Sequence, residues 1–395
     1  MLEVIFGLAV GLIVYVYVGY PALLAGVAGL ARAWRRAAAA ADAPLPRVTL
    51  LIAAYDEAET IAQKLDNSLA LDYPAERLQI LVAADGSRDA TPRIVAGYAA
   101  RGVLLNHEPA RRGKMAAINR AMPRATGEIV VFSDANNFYA ADALRQLVRP
   151  FADPRVGAAS GAKVIARGDG ALGDSEGLYW RYESAIKRWE TAVDSCVGVA
   201  GEVLAVRRRL FEPPPEAIIN DDFYMALRLL RRGYRVVYVP AARSVERVSP
   251  SAATERARRA RIVAGRYQAL WLGARLLPWK RPWLVWQIVS HKYLRPLVPL
   301  AMIAALAANA ALAWTPGLAA RLALALQAAF YGTAVLGARR PLRGRVGRLM
   351  YLPAYLVQSN LAALVGLYRF VTRTQSARWQ RVPRRAAAAA GEEPG

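Results

Sequence analysis

Acidic residues are scarce in this chain: 30 Asp and Glu stand against 53 Lys and Arg, a formal net charge of +23. That balance excludes an acidic, self-solvating protein and points to an anionic partner: nucleic acid, phospholipid headgroups or a phosphorylated substrate. Lysine is scarcer still, with six of those 53 cations. Arginine, whose planar fork suits phosphate, carries nearly all the positive charge, although an Ala- and Arg-rich chain is also what a GC-rich coding sequence yields. Cysteine occurs once, as Cys196, which excludes an internal disulfide framework and fits a reducing compartment. Charged residues make up only 21% and hydrophobic residues 55%, so a disordered chain is excluded too. The length of 395 residues allows one large domain with additions or two ordinary ones.

The apolar excess lies at the two ends. From Val4 to Leu30 no residue is charged, long enough for a helix to cross the hydrocarbon and too long and uniform for a buried core helix. Glu3 precedes the run and Arg32, Arg35 and Arg36 follow it, the reverse of a signal peptide. Positive charge on that flank predicts the N-terminus outside and residue 32 onward in the cytoplasm. Leu297–Trp314 and Leu318–Gly337 form two further apolar stretches joined at Trp314-Thr315-Pro316-Gly317, which reads as a hairpin with an external tip. Arg321 is near enough to that tip to snorkel. Arg339, Arg340, Arg343, Arg345 and Arg348 follow on the cytoplasmic side. The weaker segment Leu349–Leu367, interrupted by Pro353, Gln358, Ser359 and Asn360, fits a re-entrant or interfacial segment as well as a span. The expected organisation is a transmembrane helix over 1–31, a linker over 32–46, and an α/β domain over 47–245. Basic interfacial helices follow over 246–296, then a C-terminal membrane region over 297–370. The cytoplasmic tail over 371–395 ends in the low-complexity stretch Ala386–Gly395.

Residues 47–245 alternate between strand and helix signals. Val48–Ala53, Leu78–Ala84 and Glu128–Phe132 are short apolar runs, and helical patterns start at Thr60 and at Thr91-Pro92, with Thr91 as expected cap. Such alternation predicts a mainly parallel sheet that binds ligands at the carboxyl ends of its strands. Asp85 and Asp134 fall at two of those ends. One such carboxylate is ordinarily a cap or turn residue; two at successive strand ends suit Mg²⁺ or Mn²⁺ and a diphosphate. Between them the basic stretch His107–Lys114 can approach phosphate oxygens. Asn220-Asp221-Asp222-Phe223 opens a helix, where adjacent acids also serve the helix dipole.

Together these motifs resemble the family 2 glycosyltransferases, in particular the membrane-bound branch of cellulose, hyaluronan and poly-N-acetylglucosamine synthases. Ala53-Ala54-Tyr55-Asp56-Glu57 resembles the first nucleotide-binding strand end, usually Tyr-Asn-Glu, and Asp85-Gly86-Ser87 the Asp-Gly-Ser motif that contacts the nucleotide. Gly113-Lys114 resembles the segment beside the pyrophosphate, and Ser133-Asp134-Ala135-Asn136 stands in the place of the Asp-x-Asp metal motif. Gly201-Glu202 resembles part of the acceptor-side loop, and Asp221-Asp222 stands where the family has Glu-Asp, making Asp222 the implied base. Two departures stand out. Asn136 replaces a metal-binding carboxylate, although an amide oxygen still ligates Mg²⁺. Arg258-Arg259-Ala260-Arg261-Ile262 replaces the Gln-x-x-Arg-Trp of processive members, keeping only its Arg; an interfacial helix on anionic lipid is the alternative reading of this run.

The resemblance implies a GT-A-type, Rossmann-like cytoplasmic domain flanked by transmembrane helices in the cell (inner) membrane. It implies transfer of a sugar, with inversion, from a UDP-linked donor to a polysaccharide or glycan acceptor. Donor contacts fall to Ala54, Tyr55, Glu57, Asp85 and Lys114, metal contacts to Asp134 and Asn136, acceptor contacts to Gly201, Glu202, Arg258 and Arg261, and catalysis to Asp222 with Asp221. Membrane lipids are expected partners. Three other readings remain: single-sugar transfer to a lipid carrier, a silent nucleotide-sugar-binding or export subunit, and a nucleic-acid-binding protein. Against the last, much of the charge lies beside the membrane segments and no nucleic-acid motif occurs.

Overall fold

The computed structural model describes residues 1–34, 44–165, 170–246, 252–339 and 344–377. Most of the expected linker and the Ala386–Gly395 stretch lie outside the described residues.

Eight strands form one sheet: β1 (Val48–Ala54), β2 (Leu78–Asp85), β3 (Val103–Glu108), β4 (Ile129–Asp134), β5 (Phe138–Tyr139), β6 (Val156–Ile165), β7 (Leu204–Arg207) and β8 (Arg235–Glu246). Their order is β3-β2-β1-β4-β7-β6-β8-β5. Every residue of β1 is buried, as in a strand covered on both faces. Its side chains alternate: Leu51 packs with Leu81 and Phe132 against the helix Lys114–Ala121, whereas Leu50 and Ile52 face the helices Ile61–Leu69 and Ala143–Val148.

The sheet is mainly parallel, as expected, but mixed: four of its seven pairings are parallel, β6 with β8 among them. β3, β2, β1 and β4 run parallel, but β7 joins β4 antiparallel and β6 joins β7 antiparallel. The chain leaves β6, runs along the helix Gly170–Val193, and comes back as β7 between β4 and β6. Strand order reverses at β1, which places the crevice beyond the carboxyl ends of β2, β1 and β4. One cap also differs from expectation. The helix Thr91–Ala96 has Ala90 as its N-cap; Asp89 accepts the Thr91 N–H at 2.9 Å, and the Thr91 hydroxyl instead accepts the Glu57 N–H at 2.8 Å.

Among the described residues three helical runs are long and apolar enough to cross a membrane: Leu2–Ala31, Pro282–Leu312 and Leu318–Arg339. The apolar segment expected from Leu297 thus begins inside a longer helical run. Ala9 packs on Ala301 and Ala305, the small-residue contact that lets membrane helices approach closely. The first two runs each contain a π turn, Tyr15–Gly19 and Val289–Tyr293, and these meet where the Tyr15 hydroxyl and Ser290 Oγ share a 2.8 Å hydrogen bond. The segment left open as span or re-entrant is part of one helix, Gly344–Val371, packed along the basic helix Ala252–Leu272. Arg259 donates to Ser359 Oγ at 2.6 Å and lies 4.4 Å over the Tyr355 ring, and Tyr267 stacks on Phe370.

Candidate active site

In register, Ala53 lies beside Ala83 on one flank and Asp134 on the other, and Ala54 beside Ala84. Asp85 and Asp134 therefore flank the exit of β1, where Tyr55-Asp56-Glu57 begins. Asp56 has φ of 51°, a left-handed conformation that Asp and Asn adopt more readily than other side chains. Its N–H donates to Ser87 Oγ and its carboxylate accepts the Arg88 N–H, lacing the β1 exit to the β2 exit. Tyr55 lies 3.9 Å beneath the Arg111 guanidinium. Glu57 is buried, and its carboxylate accepts from the Thr60 hydroxyl at 2.8 Å.

Asp85 is buried, and its two oxygens accept the N–H groups of Arg112 at 3.0 Å and Gly113 at 2.6 Å. That pair fixes the loop before Lys114, the first residue of its helix. Lys114 Nζ reaches Asp134 Oδ1 at 2.6 Å. Burial works against the ammonium, but Asp134, Asp221 and Glu202 outweigh it and raise the Lys114 pKa. Asn136 is half-buried, and neither its amide nor Asp134 Oδ2 takes part in a hydrogen bond among the described residues. No group of three or more His, Cys, Asp or Glu side chains is arranged to hold a metal ion there or elsewhere in the described residues. One carboxylate and one amide fit a hard cation that completes its shell with diphosphate oxygens and water.

Of the residues expected on the acceptor side and in catalysis, Asp221 and Arg261 line one cleft, and Gly201 lies against Asp222. Asp221 and Asp222 start the helix Asp221–Arg231 with Asn220 as N-cap, so Asp222 sits inside the first turn, where its carboxylate accepts the Phe223 N–H at 2.7 Å. Gly201 faces it: a Cβ there would meet Asp222 Cβ at 3.0 Å and Oδ2 at 3.4 Å. Burial first, then the Asp221 and Glu202 charges, push the Asp222 carboxyl up to about 6, against the Phe223 N–H and Lys114. Glu202 goes the other way. Burial would raise it, but Lys163, its own backbone N–H and Lys114 bring it down to about 2. Two neighbouring acids with opposed environments are the usual sign of divided roles.

A cleft of ≈ 320 Å³ is lined by Arg112, Lys114, Glu216, Ile219, Asp221 and Arg261, among others. Arg261 Nε is buried without a hydrogen-bond partner among the described residues. Asn220 holds this helix by donating to the Ile262 carbonyl at 2.8 Å. Arg258 turns elsewhere, giving its guanidinium to Glu255 at 2.8 Å, so of the two arginines expected on the acceptor side only Arg261 lines the cleft.

Sequence reasoning missed two supports. Lys64 is fully buried; its ammonium donates to the Asn137 carbonyl and lies 4.2 Å over the Tyr139 ring. Burial lowers it to about 7, with Asp134 opposing. The Tyr139 hydroxyl in turn donates to the carbonyls of Glu202 at 2.8 Å and Phe132 at 3.1 Å, tying the Asp134–Asn136 turn to the acceptor-side loop. The available signal was a lysine in register with Ile61, Leu65 and Ser68 on the buried face of its helix, a position lysine rarely takes without a partner.

Comparison with known proteins gives concordant results. Residues 46–264 match the family model described as "Glycosyltransferase like family 2". The poly-beta-1,6-N-acetyl-D-glucosamine synthase of Staphylococcus aureus is 28% identical over 204 residues, 50% of this chain and 49% of that protein. The beta-monoglucosyldiacylglycerol synthase of Nostoc is 30% identical over 200 residues, 47% of this chain and 41% of that one. The chain thus spans about half the length of these curated relatives. A mannosyltransferase from Pyrobaculum calidifontis, solved with GDP-Man and Mn²⁺, superposes with a TM-score of 0.70 and 28% identity over 94% of this chain and 99% of that one.

Proposed function

The chain belongs to glycosyltransferase family 2, and on that premise we propose that it is a membrane-bound inverting enzyme of cell-envelope or exopolysaccharide synthesis. It moves a sugar from a nucleoside-diphosphate donor, UDP-linked in our reading, to a glycan or lipid-linked acceptor. The observation that carries this is Asp222: a half-buried carboxyl pushed up to about 6 beside Gly201 and Glu202, next to Asp221, which lines the cleft together with Lys114 and Arg261.

Asp222 takes the proton of the acceptor hydroxyl as its oxygen bonds to the anomeric carbon. The bond from that carbon to the diphosphate breaks on the opposite face, and its electron pair leaves with the diphosphate. Lys114 and Arg261 stand ready to offset the charge gathering there. A divalent ion held by Asp134 and Asn136, Mg²⁺ or Mn²⁺, supplies further neutralisation when bound; the mannosyltransferase neighbour was solved with Mn²⁺. Tyr55, Arg111 and the Asp85-braced loop hold the nucleoside. The catalytic domain faces the cytoplasm, where nucleotide-sugars are made.

A second reading, transfer of a single sugar to a lipid carrier, is favoured by Arg258, which pairs with Glu255 instead of lining the cleft. Incubating the purified chain with a panel of UDP-sugars and GDP-mannose, with Mg²⁺ or Mn²⁺, tests the function. One donor should release its nucleoside diphosphate in an acceptor-dependent way, and product size separates the two readings. No release from any donor would overturn both.

A further inference from the structure

Away from the cleft, a second polar cluster lies where the runs Leu2–Ala31 and Pro282–Leu312 meet the helix Gly170–Val193. His291 is buried between two buried glutamates, 2.6 Å from Glu190 and 3.1 Å from Glu183. All four carboxylate oxygens are engaged. Glu190 Oε1 takes the Tyr20 hydroxyl and His291, and Oε2 takes the Val197 N–H; Glu183 Oε1 takes Arg295 Nη1, and Oε2 takes His291.

The cations are in surplus. Lys187 and Lys292 are both buried, yet neither forms an ion pair or hydrogen bond among the described residues. Lys187 Nζ lies 5.6 and 5.3 Å from the Trp180 and Tyr238 rings, and the Glu183 and Glu202 charges act on it from beyond hydrogen-bond reach. Arg295 is buried too, its guanidinium 5.7 Å over the Tyr182 ring, and its Nε and Nη2 have no hydrogen-bond partner among the described residues. With every oxygen of the two glutamates already engaged, three buried cations face two carboxylates, and the ordinary remedy for such a surplus is a further anion.

Gly198 shows how close the two lysines come. A Cβ built on it would stand 2.8 Å from Lys292 Nζ and 3.3 Å from Lys187 Cε. Three residues along the same loop, Gly201 faces Asp222. Three residues span at most about 10 Å, so this cationic cluster and the base lie within the reach of one sugar and its phosphate linkage. On the other side lie the membrane helices, with Tyr20 bonded to Glu190 and Tyr182 to the Tyr17 carbonyl.

We infer that Lys187, Lys292 and the unpartnered edge of Arg295 bind the phosphate of an anionic lipid acceptor, a lipid phosphate or diphosphate bearing the sugar whose hydroxyl meets Asp222. This rests on the lipid-carrier reading above and names the acceptor's chemistry: the tail lies along the membrane helices, the phosphate on the lysines, the sugar at the base.

The test uses the full chain in detergent, with farnesyl diphosphate as probe and excess UDP, GDP and Mn²⁺ to fill the donor cleft. Farnesyl diphosphate should bind at least about tenfold more tightly than farnesol, and Lys187→Met and Lys292→Met should each weaken it by about tenfold, the scale of one lost charged contact. Lys187→Arg should retain most of the affinity, and nucleotide binding, measured separately, should stay unchanged in all three variants. The site is overturned if farnesol binds equally, if phosphatidylglycerol or inorganic diphosphate displaces the probe as well as unlabelled farnesyl diphosphate does, or if the methionine variants match wild type. Specific probe binding in a chain that binds neither nucleotide would support the site while removing the transferase reading.

Discussion

Gly201 and Asp222 meet without a side chain between them: a methyl group on Gly201 would stand 3.0 Å from the Asp222 Cβ. The close approach sets where the carboxylate points. Gly201→Ala should push Asp222 aside and lower transfer by about a hundredfold, since misplacement on the ångström scale carries that penalty. Nucleotide affinity should not change. Steady-state kinetics beside nucleotide titration checks both, and an alanine variant of wild-type turnover would refute the contact's importance.

Asp222→Asn separates base from helix-start residue. Transfer should fall by about 10²–10⁴-fold, the usual loss for a general base, while nucleotide binding persists; Asp221→Asn should be milder. The wild-type rate should rise as pH passes through about 6, where Asp222 loses its proton. Stability moves the opposite way. A carboxyl raised from 3.8 to about 6 on folding binds more protons folded than unfolded between those values, so its contribution is full below 3.8 and is lost as pH rises through 6. Above pH 6, Asp222→Asn should therefore melt no earlier than wild type. A variant both active and less stable would reverse the assignment.

Metal dependence is a third expectation. Asp134→Ala should abolish turnover, and a chelator should do the same to wild type. Asn136→Asp adds a carboxylate and should lower the Mn²⁺ concentration needed for half-maximal activity. Activity that survives excess chelator would leave diphosphate neutralisation to Lys114 and Arg261.

Orientation is accessible to thiol labelling. Cys196 is buried and its thiol pushed up to about 12 by burial and by Glu190, so it gives little background. Single cysteines at Ala37 and Gly317 should react with an impermeant reagent from opposite sides of the membrane, position 317 from outside. Labelling of position 37 from outside would reverse the orientation and remove the donor's access to the cleft.

The parallel half of the sheet was legible because each strand is a short apolar run closed by a polar residue, and Asp85 and Asp134 stand at such ends. The returning strand β7 was not, since nothing in four residues tells a chain to enter between β4 and β6. Asp222 was legible by position, but the cause of its raised pKa is not local: burial and Glu202 come from tertiary packing, and Asp221 alone is a sequence neighbour. The Arg258–Glu255 pair was readable in the sequence, because Glu255 lies three residues before Arg258 and four before Arg259, the spacing at which helical ion pairs form. Lys187, His291 and Lys292 come from elements a hundred residues apart and share a site only through the fold.

The order of the contacts along the chain has a consequence for inheritance. On the proposed roles, the residues that hold the nucleoside and the metal, from Ala54 to Asn136, are encoded before the helix Gly170–Val193, and those that handle the acceptor lie within or after it, where Arg261 alone reaches back to the diphosphate. Among the bonds that join the two halves is the Tyr139 hydroxyl on the Glu202 carbonyl. Lineages can therefore rewrite the second half of such a gene, and with it the molecule being glycosylated, while the first half continues to recognise the same nucleotide.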